Sequence, residues 1–97
     1  MKVSEIKRIG VLGGGIIGSS WSTYFLWKGF PVVIYDINDQ ALTLSRNRIT
    51  ANLSYLKDKE VLTEKAVTDA LERVLFTTEI SEAVENVQFV QEAGPEN

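Results

Sequence analysis

Short apolar runs alternate with longer segments of helical periodicity along the 97-residue chain. Apolar runs of roughly four to eight residues are typical of strands buried on both faces, and apolar residues three and four positions apart indicate helices. This pattern predicts strands at 6–12, 32–36, 74–77 and 87–92, and helices at 16–28, 40–57, 63–72 and 79–84. Strands that alternate with helices form parallel sheets with right-handed crossovers. We therefore expect an α/β domain with a doubly wound parallel sheet of about four strands.

The same spacing predicts which face of each helix packs on the sheet. In the first helix this face comprises Ile17, Trp21, Tyr24 and Phe25. We also expect Trp21 and Trp27 to be core or packing residues rather than substrate contacts. In the later helices the apolar face comprises Leu42, Ile49, Leu53, Leu56, Val67, Ala70 and Leu71. The predicted N-caps are Asn38 or Asp39, Thr63 and Thr78, and the predicted left-handed C-cap is Gly29.

A glycine-rich segment connects the first predicted strand to the first predicted helix. Gly13, Gly15 and Gly18 form a GxGxxG motif there. The first permits a tight turn out of the strand, the second has no Cβ to block a pyrophosphate, and the third lets the helix pack close to the strand. The helix N-terminus supplies amide groups and a positive dipole end. The segment therefore predicts a phosphate-binding loop.

Asp36 follows the second apolar run, eighteen residues after Gly18. A carboxylate at the carboxyl end of that strand can accept hydrogen bonds from both hydroxyls of an adenosine ribose. Loop and acid together predict a Rossmann-type sheet of strand order 3-2-1-4, with the ligand crevice between strands one and four. The alternatives without a ligand are a tight turn that binds nothing and an Asp36 that only caps a helix. Three consecutive glycines lose backbone entropy that a mere turn would not need to lose.

Composition narrows the function classes. With 44% hydrophobic residues, 24% charged residues and a net charge of −3, the chain has the composition of a globular domain and no signature of nucleic-acid or anionic-membrane binding. It has no apolar stretch of membrane-spanning length, no signal-peptide pattern and no cysteine, which fits a cytoplasmic protein. It also has no histidine, the usual general acid or base near neutral pH. We therefore assign no catalytic residue and no metal ligand.

A family resemblance follows from three segments taken together: Lys7–Gly18, Val32–Asp36 and Phe89–Asn97. In this order they resemble the N-terminal NAD-binding domain of the 3-hydroxyacyl-CoA dehydrogenase family. The likeness covers essentially the whole chain, and the terminal Gln-Glu-x-x-Pro-Glu-Asn element is more specific than the glycine loop. Gly18-Ser19-Ser20-Trp21 is similar to the branch that acts on small free hydroxy acids, such as the gulonate and carnitine 3-dehydrogenases.

The resemblance implies a role for each matching position. Gly13, Gly15, Ile16, Ile17 and Gly18 would line the pyrophosphate. Asp36 would hold the adenine ribose and Ile37 would lie beside the adenine, whereas Ala93 and Glu96 would lie near the nicotinamide-side ribose. The catalytic histidine–glutamate pair and the helical C-terminal domain of that family lie downstream. We therefore interpret residues 1–97 as the N-terminal part of a dinucleotide-binding domain, without the catalytic C-terminal portion and inactive alone.

The sequence is compatible with three functions. The leading one is the NAD-binding portion of an oxidoreductase that transfers hydride between NAD and a 3-hydroxy acid or 3-hydroxyacyl-CoA. The second is a stand-alone nucleotide-binding or sensing module without catalysis. The third, an FAD-binding domain, uses the same loop, but Asp rather than Glu at position 36 and the Pro95-Glu96-Asn97 element disfavour it.

Self-association is a further expectation from the sequence. Only the segment 79–84 is available to cover the second face of the sheet, although the strands are apolar on both sides. An exposed apolar face and an unprotected fourth-strand edge favour pairing with another copy. We therefore expect a homo-oligomer.

Overall fold

A computed structural model of the chain describes residues 7–85 and 89–92. Within this part, the strands are Ile9–Leu12 (β1), Val32–Tyr35 (β2), Val74–Thr77 (β3) and Phe89–Glu92 (β4). The helices are Ile16–Trp27 (α1), Asp39–Asp58 (α2), Glu64–Glu72 (α3) and Ile80–Val84 (α4). The strands form one parallel sheet of order β3-β2-β1-β4. The predicted Rossmann-type topology is therefore confirmed.

The strand register aligns the carboxyl ends of the strands along one edge of the sheet. Leu12 at the end of β1 lies opposite Tyr35 of β2 and opposite Glu92 of β4, and Tyr35 in turn lies opposite Thr77 of β3. The backbone ladder continues one residue further, because the Gly13 amide donates to the Tyr35 carbonyl over 2.9 Å. Segments that follow different strands therefore meet at this edge.

The main core lies between the sheet and helices α1, α2 and α3. Every second residue of β1 and β2 points into it, as expected for strands in a two-faced sheet. Its members on the strands are Ile9, Val11, Val32, Ile34 and Val74. Its members on the helices are Phe25, Leu26, Leu42, Ile49, Leu53 and Ala70, and Val67, Leu71 and Phe76 pack against it half-buried. The predicted apolar faces of α2 and α3 are therefore confirmed except at Leu56, which is half-buried and lies outside this core.

The second face of the sheet is only partly covered. Helix α4 contacts β1, β2 and β3, and its Ala83 and the Val33 side chain of β2 are buried. On the two edge strands, Leu75 of β3 is 54% exposed and Val90 of β4 is 42% exposed. The expectation of an open apolar face is thus wrong at the centre of the sheet and correct at its edges.

The predicted packing face of α1 is wrong except at Phe25. Trp21 is 41% exposed and Tyr24 is 46% exposed, and Ile17 and Trp27 are exposed as well. Small polar residues face inward instead: Ser19, Ser22 and Thr23. These small side chains allow α1 to approach α2 closely. Two of their hydroxyls form hydrogen bonds within this region: Thr23 Oγ1 donates to the Ser19 carbonyl and Ser19 Oγ donates to the Gly14 carbonyl, both over 2.8 Å. The tryptophans are therefore not core residues, although Trp21 stacks on Phe25 with a ring separation of 5.6 Å.

Three of the four predicted helix caps are confirmed by the structure: Asn38, Thr63 and Gly29. Asn38 Oδ1 accepts from the Ala41 amide over 2.8 Å, and Thr63 Oγ1 accepts from the Ala66 amide over 3.1 Å. Gly29 has a φ of +96°, the left-handed conformation expected after α1.

The predicted Thr78 cap is wrong. Helix α4 begins at Ile80 and its N-cap residue is Glu79, which makes no side-chain capping bond. Thr77, at the end of β3, takes over part of this role, because its Oγ1 accepts from the Glu79 amide over 3.0 Å. The same hydroxyl donates to Glu82 over 2.7 Å.

None of the helices in the described ranges combines the length and the hydrophobicity that a membrane crossing requires. In the same ranges, no three histidine, cysteine, aspartate or glutamate side chains are grouped so that they could hold a metal ion.

Candidate functional site

The glycine loop leaves β1 through a turn that only glycine adopts readily. Gly13 has a φ of +104°, in the left-handed region that disfavours a side chain. Two residues later, Gly15 is the N-cap of α1 in an extended conformation. No side chain caps this helix and no acidic residue lies in its first turn. The positive end of the α1 dipole therefore faces the carboxyl edge of the sheet without a protein anion in that turn.

Asp36 lies directly against this loop. The residue follows β2, and its amide donates to the Thr77 carbonyl over 3.2 Å. Its Oδ2 accepts from the Gly14 amide over 2.9 Å and its Oδ1 from the Ile37 amide over 2.7 Å. A carboxylate offers about four lone-pair positions, so that about two remain for a ligand. The arrangement can bind a phosphate at the helix start and a vicinal diol at Asp36 within one site.

Gly14 is a position of the candidate site that the sequence analysis missed. Its amide binds Asp36, and its carbonyl accepts from Ser19 Oγ over 2.8 Å and from Ser45 Oγ through a short hydrogen bond. The sequence nevertheless contains a signal for Gly14. A GxGxxG motif does not require a glycine between its first two glycines, so a glycine there indicates an additional constraint. No sequence pattern points to Ser45, which lies in the first half of α2.

Three isoleucines at the site are exposed although they are apolar. Ile16 and Ile17 open α1, and Ile37, which follows Asp36, is 76% exposed. The first two line an open groove of about 550 Å³ together with Ser20, Trp21 and Tyr24. Exposed apolar side chains that rim a polar site are typical of a ligand or partner surface.

The structure thus brings together most of the predicted site residues. The turn and the start of α1 contain Gly13, Gly15, Ile16, Ile17 and Gly18. The adjoining end of β2 is followed by Asp36 and Ile37. Ala93 and Glu96 lie outside the described residues. The described site therefore covers the glycine loop and the acid that follows β2.

Comparison with known proteins gives this geometry a family context. The family model described as "3-hydroxyacyl-CoA dehydrogenase, NAD binding domain" matches residues 8–97. The chain is 35% identical over 92 residues to L-carnitine dehydrogenase of Streptomyces griseus, and this match covers 95% of the chain and 26% of that enzyme.

Two solved structures resemble the fold closely. FadB2 of M. tuberculosis superposes with a TM-score of 0.88 at 30% identity, over 95% of this chain and 32% of that one. (S)-3-hydroxybutyryl-CoA dehydrogenase of Ralstonia eutropha superposes with a TM-score of 0.87 at 30% identity, over 96% of this chain and 32% of that one. The chain spans about a quarter of the curated relative and about a third of these structures.

Proposed function

The chain belongs to the 3-hydroxyacyl-CoA dehydrogenase family, in which it corresponds to the NAD-binding domain, and we propose how its residues hold the cofactor. The pyrophosphate of NAD lies against the first turn of α1, next to Gly13, Gly15, Ile16, Ile17 and Gly18. The adenine ribose binds Asp36, and the adenine lies beside Ile37. Ala93 and Glu96 are proposed to lie near the nicotinamide-side ribose.

One observation carries this proposal: the bond between the Asp36 carboxylate and the Gly14 amide. It fixes the proposed ribose acceptor against the proposed phosphate loop, although 22 residues separate the two in sequence. A tight turn that bound nothing would not need an acid at this place. Asp36 does not cap α2 either, because Asn38 does so.

The same carboxylate favours NAD over NADP. The 2′-phosphate of NADP would replace a hydroxyl that Asp36 is proposed to bind. Two unit charges at about 4 Å repel by about 4 kcal/mol at an effective dielectric constant of about 20. The two residues after Asp36 are Ile37 and Asn38, so neither supplies a positive charge to offset this repulsion.

For the whole protein we propose an NAD-dependent dehydrogenase with a small-molecule substrate, a 3-hydroxy acid or a 3-hydroxyacyl-CoA. When bound, NAD supplies the hydride acceptor, and the residues described here orient it. The chain contains no histidine, so a base for the substrate hydroxyl would come from other parts of a complete enzyme. The similarity to an L-carnitine dehydrogenase and to a 3-hydroxybutyryl-CoA dehydrogenase supports this reaction class.

The test uses a full-length protein that contains this chain. NADH formation is followed with L-carnitine and with 3-hydroxybutyryl-CoA, and the 97-residue chain serves as the control that binds NAD without turnover. Turnover of either substrate class supports the proposal. A full-length protein that binds NADH but oxidises no 3-hydroxy compound would contradict the reaction class and leave cofactor binding intact.

We also propose that the protein self-associates. Leu75 and Val90 remain exposed at the two sheet edges, and Trp21 and Tyr24 remain exposed on α1. Exposed apolar area of this kind favours association. Light scattering should give a mass at least twice the 10.8 kDa of one chain, and a monomer at tens of micromolar would contradict it.

The cytoplasm is the proposed compartment, which the cysteine-free sequence fits and cell fractionation tests.

A further inference from the structure

Side chains from three different elements hold the backbone of Gly14. Asp36, after β2, accepts from its amide over 2.9 Å, and Ser19 of α1 donates to its carbonyl over 2.8 Å. Ser45 of α2 donates to the same carbonyl through a short bond, and its side chain is fully buried. Asp36 and Ser45 come from outside the loop and from outside α1. They therefore fix the position of the loop relative to the β2–α2 unit.

The contact between Gly14 and Ser45 leaves no room for a larger residue at position 14. A Cβ built on Gly14 would overlap Ser45 Oγ and would lie 2.9 Å from Ser45 Cβ and 3.3 Å from Asp36 Oδ2. Gly14 is not among the positive-φ residues, so its backbone conformation does not exclude alanine. The limit is one of space. A rotation of the serine side chain would move Oγ but not Cβ, which is attached to the α2 backbone.

We propose that Ser45 is a positioning residue of the dinucleotide site and that it forms a size-matched pair with Gly14. Ser45 does not touch the cofactor in this proposal. It acts through Gly14, whose amide holds the carboxylate that binds the ribose and whose peptide begins the turn that binds the pyrophosphate. The inference rests on the proposed site, and it adds to that site a residue from α2.

Two consequences distinguish this role from a general contribution to stability. Removal of the Ser45 hydroxyl should weaken the binding of NADH more than removal of another buried hydroxyl does. A Cβ at position 14 should be much less harmful once the side chain at position 45 is removed, because, among its three nearest contacts, only the one with Asp36 Oδ2 at 3.3 Å then remains. The second consequence is specific to this pair, because it requires that the side chain that excludes alanine from position 14 is that of Ser45, 31 residues away.

The first experiment compares Ser45→Ala with Ser22→Ala by calorimetric titration of NADH. Ser22 is the matched control, because it is also fully buried, and its Oγ has no hydrogen-bond partner among the described residues. We expect the Kd of Ser45→Ala to rise about fivefold, which corresponds to one net hydrogen bond, and that of Ser22→Ala to change less than about twofold. Equal effects of the two variants would overturn the proposal.

The second experiment is a rescue. Gly14→Ala should lose most NADH binding, and Gly14→Ala combined with Ser45→Gly should regain at least about tenfold in affinity. Thermal unfolding is measured for every variant. If Gly14→Ala does not fold, the double variant must fold and bind, and the comparison of the serine variants remains decisive.

A double variant no better than Gly14→Ala, with a wild-type chain that binds NADH, would overturn the size-matched pair alone. A wild-type chain that binds no NADH would overturn the proposed site and this inference together.

Discussion

Replacement of Asp36 by alanine tests the proposed site at the residue that joins its two halves. The carboxylate accepts from two backbone amides, of Gly14 and of Ile37. The first bond is partly buried and the second is exposed, so water replaces only the second without loss. The substitution therefore leaves one partly buried amide without its acceptor. We expect it to lower the free energy of unfolding by about 1 kcal/mol.

The effect on binding adds the loss of the ribose contacts. Hydrogen bonds to a charged acceptor are worth more than neutral ones, and the pair of ribose hydroxyls would lose both of theirs. We expect NADH binding to weaken by about 1–2 kcal/mol, which is about five- to thirtyfold in Kd. Binding of NADPH should weaken less, because the substitution also removes the repulsion of the 2′-phosphate. The preference for NADH over NADPH should therefore narrow.

The assay is calorimetric titration of wild type, Asp36→Ala and Asp39→Ala with NADH and with NADPH. Asp39→Ala is the matched control, because it removes the same charge from the exposed first turn of α2. It should leave both affinities within about twofold. Tighter binding of NADPH than of NADH by the wild type would contradict the proposed role of Asp36, as would an Asp36→Ala variant with unchanged affinity for NADH.

Three further predictions concern the loop, the core and catalysis. Gly15→Val should abolish NADH binding with little change in thermal stability, because its branched side chain would occupy the pyrophosphate position; normal binding would show that the loop is not the phosphate site. Leu53→Ala should lower the free energy of unfolding in denaturant by about 2–5 kcal/mol, since Leu53 is fully buried, whereas the exposed control Leu44→Ala should cost less than about 0.5 kcal/mol. The 97-residue chain alone should not oxidise L-carnitine or 3-hydroxybutyryl-CoA above a buffer control, and turnover by a contaminant-free preparation would contradict this.

The sheet and the loop could be predicted from sequence because local signals and packing agree there. Val32–Tyr35 is apolar at every position, as a strand buried on both faces must be, and β3 lies at the residues predicted for it. Position 13 requires a glycine because its φ is positive. Asp36 is identified by its spacing in sequence after the glycine motif. Each of these features depends on a short segment and on one general rule of parallel sheets.

The orientation of α1 could not be predicted because hydrophobicity is a poor guide to a tightly packed helix pair. The periodic residues Ile17, Trp21 and Tyr24 suggested the inward face. Close approach to α2 selected small side chains instead, and Asn52 of α2 donates to Thr23 Oγ1 over 3.1 Å. Hydrogen bonds that satisfy buried hydroxyls depend on the tertiary arrangement, which the spacing of apolar residues does not reveal.

The contact between Gly14 and Ser45 could not be predicted from the sequence for a related reason. A long-range steric pair has no local signature, since a serine in a helix and a glycine in a loop are each ordinary. The wrong prediction of Thr78 as the cap of α4 has a similar cause. In the structure it is Thr77 whose hydroxyl binds the Glu79 amide. Either threonine has the right chemistry, and only the exact end of β3 decides which hydroxyl reaches the Glu79 amide.

A titration of the ¹⁵N-labelled chain with NADH, followed through the backbone amide resonances, tests whether the cofactor binds at the glycine loop and Asp36. We expect saturable shifts of the amide resonances of Gly13, Gly15, Gly18 and Asp36, and no shift at Val61, which lies in the turn between α2 and α3. NADPH at the same concentration should cause smaller shifts. Unchanged loop resonances at saturating NADH, or shifts confined to residues away from the glycine loop, would contradict cofactor binding at this site.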